Sequence, residues 1–251
     1  MYETEVIRLK EDIELKNPIL IVGLPGVGHV GKLVAEHLIE ELESEKIIEI
    51  YSPHFPPQVI VNDDNTIRLV NNEIHLCKLE DRDILILVGD HQSSSTDGHY
   101  ELCGIYLDIA ESMQVNQIYT LGGFPTGQLN YKDEVICAVN NSSMVDELKE
   151  SGVVFKKGEP GGGIVGASGL ILGLSHFRNI DAACLMGKTS GYIVDPKSSQ
   201  SLLKILSALF NFEVDLGPLE ERAKEMEKIV AKLMEKEQQK VMQEDDLTYI
   251  G

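Results

Sequence analysis

Basic residues are scarce in this sequence: 22 Lys and Arg stand against 41 Asp and Glu in 251 residues, a formal net charge of −19 at pH 7. A surface that negative repels phosphate backbones and anionic headgroups, so neither nucleic acid nor a membrane is expected as a partner. Long hydrophobic runs are missing as well. The longest apolar stretches are too short or too broken by glycine to cross a bilayer, and no basic segment leading into an apolar one opens the chain. A cytoplasmic protein is expected. Cysteine is limited to Cys77, Cys103, Cys137 and Cys184, far apart and without a C-x-x-C pair, which leaves neither a zinc knuckle nor a redox motif. Cys103, Cys137 and Cys184 lie in apolar runs and are expected to be buried reduced thiols.

What is present is an ordinary globular balance, with 43% hydrophobic and 25% charged residues, sufficient for a real core. Four short apolar runs end in glycine and lead into polar loops: Ile19 to Gly23, Ile84 to Gly89, Ile118 to Gly122 and Ala182 to Gly187. Such runs suit strands buried on both faces. Stretches of helical period follow three of these loops, at Val30 to Glu43, Tyr100 to Met113 and Ser198 to Phe210. The alternation predicts an α/β fold with a mostly parallel central sheet flanked by helices. Shorter runs at Ile47 to Ile50, Val59 to Val61, Ile67 to Val70 and Ile74 to Leu76, with a turn at Asp63, Asp64 and Asn65, predict an antiparallel extension of the same sheet. The glycine-rich but apolar segment 160–174 predicts a tightly packed helix.

Composition shifts after Gly217 and Pro218, and three regions follow: an α/β domain at 1–216, a helical extension and acidic spacer at 217–246, and a tail at 247–251. Leu219, Ala223, Met226, Val230 and Leu233 recur at spacings of four and three. This apolar stripe is too short for a long coiled coil, and predicts a helix that docks on another copy or on the body. The tail turns apolar again, with Leu247, Tyr249, Ile250 and Gly251.

Several motifs suggest chemistry. Gly26, Gly28 and Gly31 spell G-x-G-x-x-G between a strand and a helix, with Glu45 or Glu49 about 20 residues further on, as in dinucleotide folds. Pro25 enters the turn, however, no second dinucleotide half is evident, and a closely packed strand-to-helix turn needs the same glycines. The nearly complete phosphate loop ending at Lys32 has Leu33 where a hydroxyl must meet magnesium, which excludes nucleotide hydrolysis. Asp90, His91, Asp97 and His99 share one loop, but their spacing matches no helix-borne metal pair, and hydroxyls and Asp before a helix commonly cap it. Ser168 lacks the strand-to-helix elbow of a nucleophile. No metal and no catalytic residue is therefore assigned. The polar loops should still meet at the carboxyl edge of the sheet, so a small-molecule enzyme or sensor remains the rival reading.

In order along the chain, GLPGVGHVGK at 23–32, GDHQSSSTDGHYEL at 89–102, LGGFPTG at 121–127, PGGGIVGASGLILGL at 160–174 and GYIVDPKSSQSLL at 191–203 resemble the PAC2 family of proteasome assembly chaperones, in its archaeal ATP-independent branch. The resemblance implies a phosphorylase-like α/β body, a homo-oligomer (a tetramer or pentamer), no catalysis and no cofactor. It also implies binding to the α-ring of the 20S proteasome through a C-terminal hydrophobic-Tyr-X tail whose terminal carboxylate meets a lysine. Leu247, Tyr249, Ile250 and Gly251 would supply that contact here. Tyr249 stands third from the end and Ile250 second, a departure from the strict pattern.

Overall fold

In the computed structural model, residues 1–226 and Lys228 are described. The fold is organised by β2 (Ile19–Gly23), β7 (Asp83–Gly89), β8 (Gln117–Pro125) and β10 (Asp181–Thr189). Every residue of β2 and β7 is buried, because aliphatic side chains on both faces of these strands are covered by helices. The main sheet runs in the order β1-β3-β6-β7-β2-β8-β10-β9, completed by β1 (Glu5–Arg8), β3 (Glu45–Tyr51), β6 (Asn72–Lys78) and β9 (Val135–Val139). The block β7-β2-β8-β10 is parallel. The strands β1, β3 and β6 on one side and β9 on the other pair antiparallel.

Helices α1 (Val30–Glu41) and α5 (Pro196–Phe210) cover one face, and α2 (Thr96–Ser112) and α4 (Ala167–His176) the other. On the first face Val30, Val34, Ala35, Leu38, Leu202, Leu203 and Leu206 are fully buried with the strand residues beneath them. Each large aliphatic so covered stabilises the fold by about 1.5–3 kcal/mol before entropic costs. A short helix α3 (Val145–Glu150) adds Leu148 to that layer, and the segment 217–226 is helical and continues it. Ser95 caps α2 by accepting a hydrogen bond from the Gly98 amide, and Asp195 caps α5 through the Ser198 amide, with Pro196 opening the helix.

The parallel strands and their helices lie where the apolar runs predict them, and β3 and β6 form the expected antiparallel extension. Two expectations differ from the structure. Strands β4 (Val59–Val61) and β5 (Ile67–Leu69) leave the main sheet and form a separate two-stranded hairpin. Pro53, Pro56 and Pro57 stand between β3 and β4, and proline cannot donate to a ladder. The segment 160–174 is helical only from Ala167, because Gly162, Gly163 and Gly166 take φ values of +78°, +113° and +86°, outside the right-handed helix region. Strand β1 escapes detection in the sequence because Glu5 to Arg8 are all exposed and show no buried alternation.

Candidate functional site at the carboxyl edge of the sheet

The loops leaving β2 and β7 feed helices on opposite faces, α1 and α2. Between such loops α/β folds open the crevice that usually seats a ligand. Here the loops are tied to one another. Gln92 Nε2 donates to the carbonyl of Pro25 at 2.6 Å, and Gln92 Oε1 accepts from the Ala167 amide at 2.9 Å. One side chain thus links the glycine turn after β2 to the start of α4. On the other side of the turn the Asp195 amide donates to Gly28 O at 2.9 Å, and the Thr126 amide to Thr189 O at 2.8 Å. The expected convergence of loops is present, and its polar groups are spent largely on holding the loops together.

The glycines of the G-x-G-x-x-G turn serve that closeness. Gly28 sits at φ +63°, and a Cβ on Gly31 would lie 2.4 Å from the carbonyl oxygen of Leu121 in β8. The acidic residues that would complete a dinucleotide site are placed elsewhere. Strand β3 is separated from β2 by β6 and β7, Glu45 pairs with Lys10, and Glu49 pairs with Lys46.

Asp90, His91, Asp97 and His99 do not converge. Asp90 accepts both arms of Arg68 at 2.5 and 2.9 Å; burial pushes its carboxyl up, and the guanidinium outweighs that and holds it below its usual range. His91 Nε2 meets the Gln58 amide group. His99 engages the Ser95 carbonyl through Nδ1, with Nε2 facing Gln92 Oε1 at 3.3 Å. Asp97 lies in the first turn of α2, where a negative charge suits the helix dipole. Ser168 packs at the start of α4, its hydroxyl 3.4 Å from Leu121 O. Among the described residues no group of three or more His, Cys, Asp and Glu side chains is arranged to hold a metal. All four cysteines are buried free thiols; burial pushes Cys103 up to about 12 and Cys184 to about 11.

Beside this edge, a cleft of about 430 Å³ lies between α1, the ends of β6 and β7, and the C-terminal helix. Lys32, Glu36, Arg68, Glu73, Asp90 and Arg222 line it, and Lys32 pairs with Glu36 at 3.5 Å as Arg68 pairs with Asp90. Within the C-terminal stripe, Leu219 and Ala223 are buried, Leu219 joining the core under α1 and α5, and Met226 is half-buried. The start of the stripe therefore docks on the chain's own body. Val230 and Leu233, and the tail residues Leu247, Tyr249, Ile250 and Gly251, lie outside the described residues. Sequence reasoning misses Gln92, because a lone glutamine in a polar loop carries no spacing signal and only the approach of three loops gives it a role.

The fold and its loop edge define a mixed α/β protein with a largely parallel sheet between two helical layers and carboxyl-end loops locked on one another. The PAC2 family model matches residues 20–234. The chain belongs to the PAC2 family. It is 40% identical over 260 residues to an uncharacterized protein of Methanocaldococcus jannaschii, covering 100% of both chains. The crystal structure of Pyrococcus furiosus PbaB, an archaeal proteasome activator, is similar with a TM-score of 0.87 and 38% identity, over 93% of this chain and 100% of that one. Pyrococcus furiosus PbaA, an archaeal homologue of proteasome-assembly chaperone, shares the fold with a TM-score of 0.75 at 22% identity, over 98% and 99% of the two chains.

Proposed function

We propose that this protein is a homo-oligomeric, ATP-independent proteasome assembly chaperone or activator, which binds the α-ring of the 20S core particle through Leu247, Tyr249, Ile250 and Gly251. The observation that carries the reading is the 38% identity to a proteasome activator, over 93% of this chain and 100% of the chain in that crystal structure, with a TM-score of 0.87. The loop edge supports a binding role over catalysis: the groups that α/β enzymes turn toward a substrate are here engaged with neighbouring loops. A charge of −19 fits a protein partner better than a polyanion.

In a partner's pocket Tyr249 contributes about 2 kcal/mol or more as an aromatic anchor, and its hydroxyl retains a hydrogen bond. Several copies presenting tails together raise the apparent affinity by about 10²–10⁴ through local concentration. Deleting Tyr249 to Gly251, or Tyr249→Ala, weakens binding to the α-ring at least tenfold, about 1.4 kcal/mol, and leaves assembly mass unchanged. Extending the chain beyond Gly251 does similar harm by moving the terminal carboxylate away from its lysine. Surface plasmon resonance on intact, truncated and extended forms decides the matter, and equal affinities for all three place the contact on the α/β body instead.

A further inference from the structure

The hairpin β4–β5 has one face toward the body and one toward solvent. Ile60 packs on the core, and Arg68 reaches Asp90. At the alternate positions Val59, Val61, Ile67 and Leu69 are 46%, 64%, 65% and 52% exposed. Val59 stands opposite Leu69 and Val61 opposite Ile67, so the four side chains make one contiguous exposed apolar face, the kind of surface on which partners dock. It continues into a groove of about 510 Å³ lined by Met1, Phe55, Pro57 and Val70 together with Val59 and Leu69.

We propose that this hairpin face is the surface on which a second copy of this chain docks. The inference rests on the reading of the protein as a homo-oligomer and names the contact that builds it. A chain of net charge −19 meets like charge over most of its surface when it approaches its own copy, which costs free energy at close range. The four outward hairpin positions carry no charge, and Asp63 and Asp64 are confined to the turn at its tip. A two-stranded ribbon with three-residue strands is also marginal in water by itself and gains from being covered. The apolar residues Leu219 and Ala223, by contrast, are already buried within this chain.

Full-length protein carrying Val61→Glu and Ile67→Glu is compared with wild type by light scattering, and far-UV circular dichroism checks that both are folded. The expected result is an assembly of fewer copies, down to 27.8 kDa for one chain, with the spectrum unchanged. Because all four native cysteines are buried, Ile67→Cys offers a uniquely accessible thiol for a short bismaleimide. It should give a covalent dimer on a denaturing gel, whereas Lys149→Cys, on the exposed surface of α3, should not. An oligomeric double variant of unchanged mass, or failure of Ile67→Cys to cross-link, overturns the assignment of the hairpin. Unchanged mass combined with lost α-ring binding overturns it too and gives the hairpin to that partner. A wild-type mass of one chain refutes self-association itself, and hence also the oligomeric reading on which the inference rests.

Discussion

Replacing Gly31 and Gly104 by alanine, one at a time, separates the packing role of the glycine turn from ordinary helix propensity, because the two changes should move stability in opposite directions. Gly31 is the second residue of α1, and a Cβ there would sit 2.4 Å from Leu121 O and 2.8 Å from Leu121 C. An ordinary van der Waals contact is about 3.5–4 Å. The opposing atoms are main chain in the middle of the sheet and cannot swing aside, so α1 has to move off β8 by about 1 Å. Such a gap forfeits a quarter to a half of each dispersion well along a helix whose Val30, Val34, Ala35 and Leu38 are fully buried. The cost lies at the upper end of overpacking, about 3 kcal/mol, against a helix-propensity gain of about 1 kcal/mol at most. The net loss is about 2 kcal/mol, or about 4–8 °C in Tm for a domain of this size. At Gly104, inside α2, an added Cβ meets nothing within 4 Å, so alanine should stabilise by about 0.5–1 kcal/mol. Urea unfolding followed by circular dichroism, at one fixed protein concentration, measures both. A neutral or stabilising Gly31→Ala would show that the close approach of α1 to β8 is not what requires glycine there.

Two further outcomes are expected of the fold. Gln92→Ala leaves the Pro25 carbonyl and the Ala167 amide without their partner; it should cost about 1–3 kcal/mol and speed hydrogen exchange at Ala167, and unchanged exchange would mean that the loops are held without Gln92. Glu134 is held down at about 2 by hydrogen bonds from Lys132 and then Lys156, against an ordinary 4.5. Its contribution to stability is therefore present above pH 4.5 and lost as pH falls toward 2. Glu134→Gln should flatten that part of the urea-midpoint profile, and an identical slope in both proteins would refute the assignment.

The parallel core was legible because it is written in runs whose burial needs no partner information. Ile19 to Gly23 and Ile84 to Gly89 can be satisfied only between two helical layers, and the helices that follow them carry their own period. The hairpin was misplaced because a three-residue strand such as Val59 to Val61 looks the same whether it joins a large sheet or stands apart. The prolines before it mattered more than its alternation. The helix predicted over 160–174 begins later than its pattern suggests for a related reason: the apolar pattern runs back through Gly162, Gly163 and Gly166, and only the positive φ at those glycines shows where the helix begins.

By itself, the sequence determined the charge, the four buried parallel strands with their covering helices, the reduced cysteines and, through the order of its glycine motifs, the family. It could not determine what those motifs do. A G-x-G-x-x-G turn, a loop with two His and two Asp residues, and a lone glutamine depend for their role on which strand lies beside which. The tertiary structure puts β6 and β7 between the turn and its candidate acidic partners, Arg68 against Asp90, and Gln92 between three loops. It also sinks Leu219 and Ala223 into the body while leaving Val61 and Ile67 in solvent. Apolar character is a property of a residue, but burial is a property of its neighbours, and most of those contacts join residues far apart along the chain.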